Sequence, residues 1–340
     1  SKTASEPTHS DVTIDMKVEP QLVESFNKTH NKNYELLPQA AYKLENTTLH
    51  IASGSHVTET GLKLSIIDRD AMKFGTTYVL PVSIDRVTGT SMPVIEASRT
   101  IYLVVNQVII TKAANLEGGW RYYYADFSNN SGKFDTHAMK SVTFEARVRF
   151  RQMNSSSTKW CYSVMGLEEN LCLRTAGSAK TGWRLQLGDP NAMSSRDVLP
   201  NDKWVHLACV YNGETGKKYI YINGELQGET TDSRHTISLA NAYGQSDLFY
   251  IGQSAADDRL MEGWVCEARV WATARTAAEL KNNVCWVDPT SKDLVAYWRF
   301  NEGSGNTFND ATGHGHTLTT HATPIWVDGI KSTDEQTNWQ

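Results

Sequence analysis

Residues 203–229 read KWVHLACVYNGETGKKYIYINGELQGE. Two apolar runs rich in β-branched and aromatic residues are joined by a polar, glycine-containing turn, and the second run closes on Asn223-Gly224. Asn-Gly accepts positive φ at both central turn positions, so it favours a hairpin whose twist matches its strands. The stretch therefore predicts consecutive antiparallel strands, and it sets the class of everything around it.

Working outward, the same signal recurs. In VTFEARVRF, residues 142–150, Val142, Phe144, Ala146, Val148 and Phe150 alternate with Thr143, Glu145, Arg147 and Arg149, the period of a half-buried strand. GWRLQLG, residues 182–188, sets Trp183, Leu185 and Leu187 against Arg184 and Gln186. DLFYIGQS, GWVCEARVWA and LVAYWRF are further strands. The one convincing helix is TARTAAELKN, residues 273–282, with Thr273 or Thr276 as its cap.

The first third is also strand-rich. LHIASGSHV, GLKLSIID, TTYVLPVSID and RTIYLVVNQVII are separated by Gly, Asp, Asn and Ser, and Pro81 marks an edge or a bulge because it has no N–H for a ladder. The segment from Val18 to Asn46 is less regular. All ten tryptophans lie at or beyond Trp120 and all five cysteines at or beyond Cys161, which a single core would not segregate. The polar stretch TKAANLEGG supplies a boundary. The expected organisation is an Ig-like sandwich over residues 1–112, a linker over 113–119 and a second β-sandwich over 120–340.

Length fits that division: 340 residues suit two domains better than one. A net charge of −5 gives a phosphate backbone no electrostatic help, so nucleic acid is not an expected partner. No apolar run is long enough to span a bilayer as a helix, and the opening SKTASEPTHSDV lacks the apolar core of a signal peptide. The five cysteines show no metal-binding spacing; Cys161 and Cys172 flank a strand pair and are read either as a disulfide or as free buried thiols.

Several pieces together resemble the laminin-G-like, concanavalin A-type jelly-roll lectin domain. They are VTFEARVRF, VMGLEENLCLR, RLQLG, the Trp204-to-Gly224 stretch, YIGQSAADDRLMEGWVCEARVW, the helix TAAEL and LVAYWRFNEGSGNTFNDATGHGHTL, covering about Tyr123 to Leu318. Over residues 11–106, Asn27, Tyr34, Leu37-Pro38, Tyr42, Gly54 and the YVLPV strand resemble the N-terminal domain of a family of Bacteroidetes surface lipoproteins. The combined resemblance implies a cell-surface protein of a glycan-utilisation system, on the outer face of the outer membrane beside a glycan importer. Its anchor would be a lipidated cysteine upstream of this sequence.

Catalysis finds little support in the residues. A jelly-roll glycosidase needs two carboxylates flanking the scissile bond, about 5–5.5 Å apart for retention. The polar rows instead read Glu145, Arg147, Arg149 and Glu267, Arg269, unlike signs that suit cross-strand ion pairs. No nucleophile elbow, His-Glu-x-x-His or phosphate loop is present.

Sugars stack their C–H faces on aromatic rings and hydrogen-bond to polar side chains. Trp204, Trp271 and Trp298 are read as core. Trp160, after the polar loop Asn154-Ser-Ser-Ser-Thr-Lys, Trp183 with Arg184, and Trp264 are the expected carbohydrate contacts, with Trp160 and Trp183 at one end of the sandwich beside a loop at 191–197. Trp120-Arg-Tyr-Tyr-Tyr is expected to pack at the domain boundary, with glycan contact as the alternative. Asp310 is read either as a ligand to one structural calcium ion or as a turn residue bonded to its own backbone. The pair His314 and His316 is read either as an exposed turn or as a weak metal pair. The expected protein is an all-β, non-catalytic carbohydrate binder; a glycoside hydrolase and an adhesin-like, protein-binding module are the alternatives.

Overall fold

A computed structural model describes all residues except 107–108, 152, 154–158, 189–190, 241–247, 255–258 and 333–340. The chain forms two compact units, Ser1–Gln107 and Val108–Gln340.

The first unit contains β1 (Val12–Val18), α1 (Leu22–His30), β2 (Glu35–Leu36), β3 (Tyr42–Glu45), β4 (Thr48–Ile51), β5 (Lys63–Ile66), β6 (Tyr78–Thr88) and β7 (Thr100–Val105). One sheet runs β2-β6-β1-β4 with β7 on β6, and β3 pairs with β5 in a separate ribbon. Both contribute to one core, which includes Val12, Ile14, Leu49, Ile51, Leu80 and Val82 from the sheet and Tyr42 from the ribbon. Pro81 lies in the central strand β6, not at an edge. Its carbonyl accepts from Glu19 N at 3.0 Å, on the side where β6 changes partner from β2, whose pairing ends at Val79, to β1, whose pairing ends at Val82. A strand residue's N and O point the same way, so the missing N–H falls in that gap. Helix α1 lay in the segment read as irregular; it has no side-chain N-cap and no buried residue.

The second unit continues with β8 (Ile109–Asn115), β9 (Tyr123–Asp126), β10 (Ser141–Phe150), β11 (Ser163–Leu167), β12 (Leu171–Ser178), β13 (Gly182–Leu187), β14 (Met193–Val198), β15 (Trp204–Asn212), β16 (Lys217–Ile222) and β17 (Glu225–Thr231). It ends with β18 (Leu248–Ile251), β19 (Gly263–Trp271), α2 (Ala277–Asn282), β20 (Leu294–Trp298), β21 (Thr319–Thr320) and β22 (Ile325–Ser332). One sheet runs β17-β16-β15-β10-β19-β8-β22 with β20 on β19; the other runs β14-β13-β12-β11-β18-β9-β21. Val142, Phe144, Ala146, Val148 and Phe150 of β10 are buried between them, as their alternation predicts. The opening hairpin forms as read, with β15 on β16 and β16 on β17, and Asn223 and Gly224 both at positive φ.

The expected linker 113–119 needs correction. Ala113 and Ala114 are fully buried in β8, which pairs with β19 and β22 inside the second unit. The apolar run RTIYLVVNQVII, read as one strand, is divided between β7 of the first unit and β8 of the second. Composition hid this because β8 buries only small and β-branched side chains.

Helix α2 starts where expected. Thr276 caps it, accepting from Glu279 N, while the Glu279 carboxylate accepts from Thr276 N. Its Leu280 packs on Ala208, Val210 and Tyr221 of the first sheet. Thr276→Ala is expected to cost about 1 kcal/mol, read as a shift of the urea midpoint with unchanged slope. No shift would show that the docked Leu280 alone holds the helix.

Candidate functional site

Strand alternation places the outer surface of the second sheet. Leu171, Leu173, Leu185, Leu187, Phe249, Ile251, Tyr123 and Ala125 all enter the core. Their neighbours Cys172, Arg174, Arg184, Gln186, Tyr250 and Tyr124 therefore face outward. Register joins these residues across the strands: Tyr124 opposite Tyr250, Tyr250 opposite Gly166, Gly166 opposite Cys172, and Arg174 between Ser163 and Gln186.

Trp160 stands over this surface, 44% exposed. The Arg259 guanidinium lies 4.6 Å from the indole centroid and that of Arg174 5.4 Å. One oxygen of Glu168 accepts from both, from Arg174 at 2.5 Å and Arg259 at 2.7 Å, and Gln186 Oε1 accepts from Arg174 Nε at 2.9 Å. Arg174 and Glu168 are 7% and 9% exposed, so these bonds form in a low-dielectric setting where charge-assisted contacts are strong. Lys159 Nζ donates to Leu260 O at 2.7 Å, tying together the segments that carry Trp160 and Arg259. Below them, Ser163 and Ser254 share a 2.7 Å hydrogen bond. Cys161 and Cys172 are free buried thiols; burial pushes Cys161 up to about 11, and burial followed by the Glu168 charge holds Cys172 well above the usual thiol range. The arrangement holds a partly exposed indole on fixed cations. Its ordering entropy is lost on folding rather than on ligand binding.

On the same outer face, Tyr122 stacks with His321 at 4.4 Å and meets Tyr250 edge-on at 5.8 Å, and Tyr250 lies 6.0 Å from Tyr124. These rings are only partly buried or exposed. Within the second unit, Tyr123 of this run enters the core, while Tyr122 and Tyr124 belong to the aromatic face. The signal was the alternation Tyr122, Tyr124 about Tyr123.

The other expected contacts separate. Trp183 is a core residue, 3% exposed, its Nε1 donating to Met153 O at 2.8 Å and its ring edge-on to Tyr162. It has no face for a sugar, because it shares the inward side of β13 with Leu185 and Leu187. Arg184 faces outward, but its guanidinium donates to the carbonyls of Ser195 and Arg196 on β14. Trp264 lies in the opposite sheet, 4.5 Å from the Arg149 guanidinium, with Nε1 donating to Glu117 at 3.2 Å. The expected loop 191–197 is mostly strand β14, and the loop before Lys159 lies outside the described residues.

Asp310 is a turn residue. Oδ1 accepts from Tyr297 N, Thr312 N and Thr312 Oγ1, and Oδ2 accepts from His316 N. A carboxylate saturated by N–H and O–H donors does not fit calcium, which needs several free oxygens. Among the described residues no group of three His, Cys, Asp or Glu side chains is placed to hold a metal. His314 and His316 are directed to different carbonyls, Val295 O and Asp126 O, and the exposed turn expected for them does not hold at His316, which is buried against Phe127.

The carboxylates on the first sheet are engaged otherwise than for catalysis. Glu145 is opposite Arg269 in register, and both are fully buried. Glu145 meets Arg269 at 3.4 Å, His206 at 2.8 Å and Trp271 Nε1 at 2.6 Å; Glu267 meets Arg269 at 2.9 Å and Arg299 at 3.1 Å, and also the Tyr297 hydroxyl. Glu267 sits at φ +53, where the β10–β19 register shifts, so this bulge turns its side chain into the cluster. Neither carboxylate is exposed to solvent.

Comparison with known proteins agrees with the architecture. Residues 1–91 match a family model described as an N-terminal domain, and residues 119–281 match the concanavalin A-like lectin/glucanases superfamily. A Bacteroides ovatus protein, solved as a candidate carbohydrate-binding protein, is 27% identical with TM-score 0.61, covering 96% of this chain and 90% of that one. A heptameric pentraxin from Limulus polyphemus is 13% identical with TM-score 0.43, covering 64% and 95%. Domain 4 of an arabinanase from Geobacillus stearothermophilus, solved with arabinotriose, is 19% identical with TM-score 0.34, covering 51% and 85%. No curated protein matches the chain. With two facing antiparallel sheets and this family match, the chain carries a domain of the concanavalin A-like lectin/glucanase superfamily behind a separate N-terminal family domain.

Proposed function

We propose that the chain is a non-catalytic carbohydrate-binding protein, with Trp160 as the stacking platform and the outer face of the second sheet as its binding surface. The observation that carries this is a half-exposed indole held by two guanidiniums that are themselves locked by one buried carboxylate. Such a ring is held in place, 44% exposed, with hydrogen-bonding groups beside it, and sugar recognition combines an exposed aromatic ring with polar side chains. The similar Bacteroides ovatus protein, with its description as a carbohydrate binder, supports the reading across both units. The buried, ion-paired state of Glu145 and Glu267 supports the absence of glycosidase chemistry at the first sheet. A cell-surface place in a glycan-utilisation system, with an outer-membrane importer as partner and a lipid anchor upstream, belongs to the same proposal.

A glycan array probed with the intact chain tests it. Retention on a group of related saccharides is the expected outcome. Silence across plant, microbial and host glycans, with the protein shown to be folded, contradicts it.

A further inference from the structure

A second opening in the C-terminal unit is not used by the Trp160 face. Where β10 begins and β15 and β19 end, a cleft of about 520 Å³ is walled by Lys133, Phe134, Asp135, Lys140, Asn212 and Glu214, among others. That size is within the range of small-molecule sites.

The walls are built rather than loose. Ser131 and Phe134 exchange both backbone hydrogen bonds, at 3.1 and 2.8 Å, and buried Ser131 Oγ donates to Val295 O at 2.9 Å. Phe134 is thereby fixed, edge-on to His314 at 5.9 Å, with Lys133 over its ring at 5.2 Å. Asn212 Oδ1 accepts from Glu214 N at 3.0 Å and Thr215 N at 3.3 Å, which orients the amide at the cleft wall.

The charges select the ligand. Two ammonium groups and two carboxylates cancel. An anionic ligand would meet Asp135 and Glu214, and a cationic one Lys133 and Lys140. A neutral polyol satisfies donors and acceptors alike. We propose that this cleft is a second saccharide site, taking a neutral mono- or disaccharide independently of Trp160. The proposal rests on the carbohydrate-binding reading and extends it. Two sites on one unit give a branched or repeating glycan two attachment points, so avidity exceeds either single affinity.

The test is saturation-transfer NMR on the full chain with glucose, galactose, mannose, xylose, lactose and cellobiose, and with glucuronic acid and glucosamine as charged probes. Three variants accompany the wild type: Trp160→Ala, Ala138→Trp and their combination. Ala138 is an exposed residue of the cleft wall, so a tryptophan there fills the opening without removing a core contact. The expected result is a neutral sugar still bound by Trp160→Ala and weakened at least about tenfold when Ala138→Trp is added. Complete loss in Trp160→Ala alone overturns the second site and leaves the carbohydrate reading standing. Residual binding untouched by Ala138→Trp, or preferring the charged probes, also overturns it. No binding of any of these probes by the wild type overturns the second site, and the glycan array decides the carbohydrate reading separately.

Discussion

Arg269→Leu is expected to destabilise the C-terminal unit by about 3–5 kcal/mol, the range for removing one partner from a buried ion cluster. The guanidinium lies between Glu145 at 3.4 Å and Glu267 at 2.9 Å, all three fully buried, and it also donates to Asn283 O at 2.6 Å and Val284 O at 3.3 Å. The substitution leaves two buried carboxylates short of a counter-charge and frees the segment that follows α2. Glu145→Gln keeps the size and part of the hydrogen bonding, so its loss should be smaller. Urea unfolding measures both, and a loss below about 1 kcal/mol for Arg269→Leu would place the cohesion elsewhere.

The same cluster sets an acid limb. Burial works against the Glu145 charge, but Arg275, Arg269 and the His206 hydrogen bond outweigh it and hold the carboxyl well below the usual carboxylate range. Burial, against the opposing Glu145 contacts, lowers His206. In both cases the unfolded chain binds more protons than the folded one, so stability rises with pH. The His206 contribution is lost as pH falls below about 6.5, and that of Glu145 begins to be lost below about 4.3 as the unfolded carboxyl protonates. Raising pH from neutrality should add nothing from this pair.

Trp183→Ala is expected to cost about 3–5 kcal/mol through cavity formation, with Trp183→Phe losing less. Its indole packs on Tyr162 at 4.8 Å between ring centroids and its N–H is bonded to Met153 O. Under conditions where the Ala variant remains folded, sugar binding should persist. A variant of native stability that no longer binds sugar would return Trp183 to the site.

The contrast between Trp160 and Trp183 shows what was legible. The alternation of Trp183, Leu185 and Leu187 already placed that ring inward, and its nearness to a polar turn obscured a periodicity that was present in the sequence. Trp160 follows a polar run with no alternation, and it is exposed. VTFEARVRF was readable as a strand from its alternation, although Thr143, Glu145 and Arg147 on its polar side are buried as well; its unlike charges pointed to cross-strand ion pairs, and the register sets Glu145 opposite Arg269. The Glu168–Arg174–Arg259 cluster was not readable. It depends on β11, β12 and the segment before β19 meeting, and no local pattern encodes that pairing. Helix α1 was missed because it has no cap residue and buries no side chain. The domain boundary was misplaced because the second half of β8, Thr111-Lys112-Ala113-Ala114-Asn115, has only small and polar side chains and so lacks the apolar signal of a buried strand.

Calorimetric titration of the strongest array ligand into the wild type and Trp160→Ala tests the central claim most directly. The account predicts about tenfold or greater weakening at unchanged folding stability, the effect of removing an aromatic anchor from its ligand. Equal affinities in the two proteins would contradict it and remove the sugar from the Trp160 face.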